Sequence, residues 1–176
     1  AIRNNTVSMV LIMMKSQHPF IVNLCFAFQT PSKFYLGLEY APGGELFYHM
    51  DKVGTIMIDD ARLYIAEIIL ALKHLHSIGI IYRDLKPENV LFDAEGHIKL
   101  TDFGLSKDLF EGEQTTTFCG TSEYLAPEVI MQQSYSYEID EWALGVLSYE
   151  MILGTTPFYD ENKAVMFGKI VSENPV

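Results

Sequence analysis

The sequence predicts an α+β fold of two unequal lobes. Three observations predict it. Aromatic and β-branched strand-like runs come early, long apolar-periodic helical runs come late, and an Ala-Pro-Gly-Gly break at 41–44 separates them. At 176 residues the chain can bury one sizeable core or two small lobes, and 49% apolar with 20% charged residues excludes disorder and fibrous repeats. Residues 1–40 read as the smaller lobe and 41–176 as the larger.

Residues 7–16 are apolar nearly all round, which predicts a buried helix. Residues 20–28 and 34–40, on either side of Gln-Thr-Pro-Ser, predict a strand–turn–strand. A long helix follows over 58–78. Ala61, Tyr64, Ile65, Ile68, Ile69, Leu72 and Leu75 keep its period, Asp59 and Asp60 suit its N-terminal dipole, and Gly79 stops it. Residues 90–92 and 98–101 flank Asp-Ala-Glu-Gly and predict a hairpin. Residues 105–125 read as a long polar loop. A helix apolar on most faces spans 139–153, closes at Gly154 and belongs at the centre of the core. An amphipathic helix at 162–170 ends the pattern.

Acids outnumber bases 23 to 12, for a net charge of −11, which argues against a nucleic-acid-binding module. A basic partner or a plainly acidic surface both fit. The charge is uneven. Residues 1–38 hold Arg3, Lys15 and Lys33 and no acid, so the rest carries 9 bases and 23 acids. Cys25 and Cys119 form no CxxC pair and point to a reduced, cytoplasmic or nuclear setting. The apolar run at 9–14 is too short for a transmembrane segment and lacks the marks of a signal peptide. His18, His49, His74, His76 and His97 show no metal-ligand spacing.

The strongest motif is Tyr-Arg-Asp-Leu-Lys-Pro-Glu-Asn at 82–89. Asp-Phe-Gly at 102–104 begins 18 residues after Asp84, and Ala-Pro-Glu follows at 126–128. Three such motifs in this order resemble the catalytic loop, metal-binding segment and closing motif of the eukaryotic protein kinases. His-Pro-Phe at 18–20, Tyr-Ala-Pro-Gly-Gly-Glu-Leu-Phe at 40–47 and Thr-Phe-Cys-Gly-Thr at 117–121 are similar to the AGC group, near protein kinase B and the serum/glucocorticoid-regulated kinases. The resemblance runs from about His18 to Phe158. It implies a bilobal kinase fold, with a partial N-lobe of one helix and two strands over 1–40 and a mostly helical C-lobe over 41–176.

The resemblance also implies a set of roles, and the chemistry suits them. Phosphoryl transfer needs positioning and charge neutralisation more than covalent help. Asp84 would be the base, Lys86 the cation at the transferring phosphate, and Asn89 and Asp102 the ligands of Mg²⁺, whose hardness favours oxygen donors. ATP would meet Leu38 as gatekeeper, the backbone of Glu39 and Ala41 as hinge, and Glu45 and Leu91. Glu45, Glu88 and Glu150 would bind basic side chains of protein substrates, with Thr121 touching Asp84 and Lys86. Leu105 resembles the serine-preferring pattern. Thr117 would be phosphorylated by an upstream activating kinase, its phosphate pairing with Arg83. Asp140 would support the catalytic loop.

Several features depart from the family pattern. No G-x-G occurs, and the strand lysine that holds the phosphates is absent. Met9 stands where that lysine's glutamate partner is expected, nine residues before His18. Ser122 replaces a proline, Glu141 replaces an aromatic, and the arginine that pairs with Glu128 is missing. The expectation is a domain truncated at both ends that, as these 176 residues alone, transfers phosphate negligibly. Two readings stand: a serine/threonine kinase, or a non-catalytic kinase-fold module that binds nucleotide or partners. The intact Asp84, Lys86, Asn89 and Asp102 favour the first, and Met9 favours the second.

Overall fold

The structure, a computed structural model, describes residues 2–109 and 113–175, with side chains from residue 6 onward. Helix α1 (Ile2–Lys15) buries Ile12 and Met13 but exposes Val7, Leu11 and Met14. This corrects the expectation of a helix buried all round. Composition sets how apolar a helix is, but the number of neighbours around it decides how many faces are covered, and here only one is.

Strands β1 (Leu24–Gln29) and β2 (Phe34–Leu38) form an antiparallel pair with an irregularity between Leu24 and Phe26. The expected strand over 20–28 is therefore shorter. Residues 20–22 cross instead to the larger lobe. Val22 N–H donates to Leu100 C=O at 2.9 Å, and Leu100 N–H donates to Phe20 C=O at 2.9 Å. Ile21 and Val22 are buried there, so the two lobes share core rather than each closing its own.

After the break, β3 (Gly44–Glu45) leads into α2 (Leu46–Val53). This helix, eight residues long, buries Leu46 and Met50 as an i, i+4 pair and is too short to stand out among the sequence expectations. A Cβ on Gly43 would lie 2.5 Å from Phe92 Cβ, so glycine is what lets this turn press onto the sheet. Next come α3 (Ile58–Ser77), β4 (Ile80–Ile81), β5 (Val90–Phe92), β6 (Ile98–Leu100) and β7 (Lys107–Asp108). The antiparallel sheet β3-β5-β6 pairs Glu45 with Leu91 and Leu91 with Lys99. The expected loop over 105–125 is more ordered than its composition suggests. It contains β7, which pairs with β4, and a 3-10 turn at Ser122–Tyr124, while residues 110–112 lie outside the described residues.

The chain ends through α4 (Pro127–Ile130), α5 (Glu138–Leu153) and α6 (Lys163–Ser172), the last capped by Asn162, whose side chain accepts from Ala164 N–H at 3.0 Å. Helices α3 and α5 pack together. Ile68, Leu72 and Leu75 from one and Val146, Leu147 and Met151 from the other are fully or nearly buried. Helix α5 is central as its sequence implies, although Ile152 and Leu153 at its end face outward. Among the described residues no helix is long and apolar enough to cross a membrane.

Candidate active site

The site is built around the loop between β4 and β5. Asp140, fully buried on α5, holds that loop. Its carboxylate accepts from Tyr82 N–H at 2.9 Å, from Arg83 N–H at 2.8 Å, and meets His76 Nε2 at 2.8 Å. Arg83 takes the left-handed φ of +69°, a strained conformation that persists only where the surroundings fix it. Tyr82 is wholly buried and donates its hydroxyl to Thr101 C=O, tying this loop to the one after β6. Burial, then the Asp84, Asp102 and Asp140 charges, push the Tyr82 phenol well above its ordinary range, so it stays a donor.

Asp84 is buried and surrounded by partners. Thr121 Oγ1 donates to Asp84 Oδ1 at 3.1 Å, Asn89 Nδ2 donates to Oδ2 at 3.0 Å, and Lys86 Nζ lies 3.2 Å from Oδ2. Lys86 Nζ also donates to Thr121 Oγ1 at 3.1 Å. Gly120 brings Thr121 in. Its φ is +116°, and a Cβ there would sit 3.0 Å from Leu125 Cδ2 and 3.2 Å from Arg83 C=O. The hairpin β5–β6 aligns the other side. Thr101 N–H donates to Asn89 C=O at 3.0 Å, so Asn89 and Asp102 flank the same end of the hairpin. Asp102, exposed with φ +54°, accepts from Gly104 N–H at 3.0 Å and otherwise has no hydrogen-bonding partner among the described residues. An amide oxygen and an exposed carboxylate at one rim form the oxygen donor set a hard divalent cation takes. Among the described residues no cluster of three or more His, Cys, Asp or Glu could hold a metal.

On the far face of the sheet, Glu45, Leu91 and Lys99 stand in one cross-strand row. Lys99 Nζ reaches Glu39 Oε1 at 2.6 Å, and Glu39 Oε2 accepts from Asn23 Nδ2 at 2.8 Å and Asn23 N–H at 3.1 Å. Burial raises the Glu39 carboxyl, but the Lys99 and Asn23 bonds outweigh it and hold the group below its ordinary value. The Glu39 C=O and Ala41 N–H have no partner among the described residues. Leu38, at the end of β2, is exposed.

The acidic residues separate into two kinds. Glu150 accepts from the Tyr124 hydroxyl. Burial pushes its carboxyl up, and the nearby Glu123 and Glu88 charges add to that against the Tyr124 bond. Glu88 and Glu150 are thus neighbours, whereas Glu45 packs beside the turn that carries Glu88 without a hydrogen bond to either acid. Thr117 lies elsewhere. Its C=O accepts from Tyr135 Oη at 2.6 Å, and Arg83 Nη1 donates to the same phenol at 3.4 Å. Thr117, Arg83, Lys107, Lys15 and Met9 line one cavity of about 550 Å³.

Asn23, Lys99 and Tyr135 escaped the sequence reading, and the part played by His76 did too. None lies in a motif, and each meets the site only through long-range contacts.

The sequence profile of the protein kinase domain matches residues 2–175. The chain is 53% identical over 158 residues to the serine/threonine-protein kinase Sgk1 of Homo sapiens, covering 89% of this chain and 37% of that protein. It is 52% identical over 171 residues to the RAC family serine/threonine-protein kinase homolog of Dictyostelium discoideum, covering 96% and 38%. It is 53% identical over 156 residues to the serine/threonine-protein kinase YPK2/YKR2 of Saccharomyces cerevisiae, covering 88% and 23%. The chain spans between about a quarter and two fifths of the length of these relatives. The chain belongs to the protein kinase family, as an AGC-type kinase domain.

Proposed function

From membership of the protein kinase family, we propose that this domain belongs to a serine/threonine protein kinase that moves the γ-phosphate of ATP to serine, or threonine, in arginine-bearing protein substrates. The observation that carries this is the Asp84–Lys86–Asn89–Thr121 cluster with Asp102 beside it. Asp84 accepts the proton of the substrate hydroxyl, oriented by the two side-chain donors on its carboxylate. Lys86, held between Asp84 and Thr121, directs its ammonium group to the phosphate end. The donor set of Asn89 and Asp102 fits Mg²⁺, which when bound supplies charge neutralisation at the phosphates. The free Glu39 C=O and Ala41 N–H suit the adenine edge, next to Leu38, with Leu91 and Glu45 on the sheet face below.

Glu88 and Glu150 suit a guanidinium: burial first, and then the Glu123 and Glu88 charges, raise the Glu150 carboxyl, and an arginine would offset those charges. Thr117 suits phosphorylation by an upstream kinase, because Arg83 and Lys107 line its cavity. The alternative, a binding module without turnover, is favoured by Met9, whose thioether packs partly buried against the core where an ion-pairing acid is expected.

A radiolabelled phosphate-transfer assay on the protein carrying this domain, with Mg-ATP and serine peptides with and without upstream arginine, decides between them. Turnover that Asp84→Asn reduces about a thousandfold or more supports the kinase reading. Nucleotide binding with no turnover supports the module. Glu88→Ala should raise KM for arginine peptides about tenfold and leave arginine-free peptides unchanged.

A further inference from the structure

Resting on the nucleotide-site reading above, we infer that Lys99 is a positioning residue for the adenine end of the site, acting through Glu39 and Asn23. No motif contains Lys99. It nevertheless has a side chain only 9% exposed, and a lysine so buried requires a partner that offsets its lost hydration. That partner is the hinge. Lys99 Nζ binds Glu39 Oε1 at 2.6 Å, and the other carboxylate oxygen accepts twice from Asn23. The Glu39 N–H donates to Asn23 C=O at 2.9 Å, so side chain and backbone of this residue are both tied down. Among the described residues, what stays open is its C=O and, two residues on, the Ala41 N–H.

The other end of the brace explains its use. Lys99 sits on β6 directly opposite Leu91 on β5, and cross-strand partners project from the same face. The same two strands lead to Asn89 and Asp102 at their end. One side chain thus sets the spacing between the floor of the adenine slot and the backbone edge that would grip the base. A backbone displaced by about 1 Å at such a site lowers performance by up to about a hundredfold.

The prediction separates from a general loss of structure. Lys99→Met should weaken adenosine and Mg-ADP binding by the same factor, about tenfold, since the defect lies at the base. Lys99→Arg, which keeps the charge and a donor, should restore both. Asp102→Ala, by contrast, should weaken Mg-ADP and leave adenosine unchanged. Isothermal titration of the protein carrying this domain and of these variants, with circular dichroism to confirm folding, reads all of this. Should Lys99→Met not fold, Glu39→Gln, which keeps the shape and the Asn23 contact, stands in for it with the same expected loss. Adenosine affinity unchanged in Lys99→Met, or in Glu39→Gln where that variant stands in, overturns the inference, as does a loss confined to Mg-ADP. Failure of the unaltered protein carrying this domain to bind Mg-ADP or adenosine overturns the nucleotide-site reading itself and this inference with it, a result distinguishable because it precedes any substitution.

Discussion

Replacing Asp140 by alanine removes the acceptor that shapes the catalytic loop. Its carboxylate is fully buried and takes the N–H groups of Tyr82 and Arg83 at 2.9 and 2.8 Å, together with His76 Nε2 at 2.8 Å. Alanine leaves two backbone donors stranded away from water. Each stranded donor costs about 1–3 kcal/mol, so the loss is about 2–6 kcal/mol before the small cavity is counted. A domain of this size holds only about 5–15 kcal/mol in total, so the variant should unfold tens of per cent more readily along a denaturant axis and melt roughly 5–20 °C lower. The loss also releases Arg83 from its left-handed φ of +69°, which nothing else in the loop enforces as directly. Asp140→Asn keeps one acceptor oxygen and should fall between the two. The assay is guanidinium unfolding followed by circular dichroism, with Asp102→Ala as reference. Asp102 is exposed and bonds only Gly104 N–H among the described residues, so that reference should stay within about 0.5 kcal/mol of the unaltered protein. Equal midpoints for Asp140→Ala and Asp102→Ala would refute the reasoning.

Other outcomes follow from the same geometry. Gly120→Ala should destabilise by more than about 1 kcal/mol in thermal unfolding, because φ +116° is closed to side chains and the new Cβ meets Leu125 at 3.0 Å. His97, hydrogen-bonded to Glu67 at 2.6 Å, is raised from its ordinary 6.5, first by that bond and then by the Glu67 charge. Its stabilisation is therefore fully present below pH 6.5 and fades as pH rises through the raised value, so unfolding midpoints of the protein and His97→Gln should differ more at about pH 6 than at about pH 9. Glu39 titrates in the opposite sense. Its lowered carboxyl stabilises above the ordinary 4.5 and loses that contribution as pH falls through the folded value, a loss that Lys99→Met should remove from acid-unfolding curves.

Much of the candidate site was legible because its residues lie at close spacing in recognisable motifs of the chain. Asp84, Lys86 and Asn89 sit within one loop, and Asp102 follows a hairpin whose short turn announces itself. The long helices were legible for a similar reason. A period of 3.6 sustained over 20 residues marks α3, and a long apolar run closed by Gly154 marks α5. The expectations that failed concern coverage and pairing. Helix α1 has the composition of a buried helix yet exposes Val7, Leu11 and Met14, and residues 20–22 have the composition of a β1 extension yet bond to Leu100.

The sequence by itself identified the motifs at 82–89 and 102–104 and the helical identity of the larger lobe. Tertiary structure supplied the distant groups that hold them. The family resemblance anticipated Asp140, which reaches Tyr82 from 58 residues away, and Thr121, which reaches Asp84 from 37, whereas only the fold revealed Lys99, which reaches Glu39 from 60. The reason is physical. Backbone propensity and side-chain period act over a few residues, whereas a buried charge is satisfied by whichever partner the fold brings within hydrogen-bonding distance, and no spacing in the chain encodes that distance.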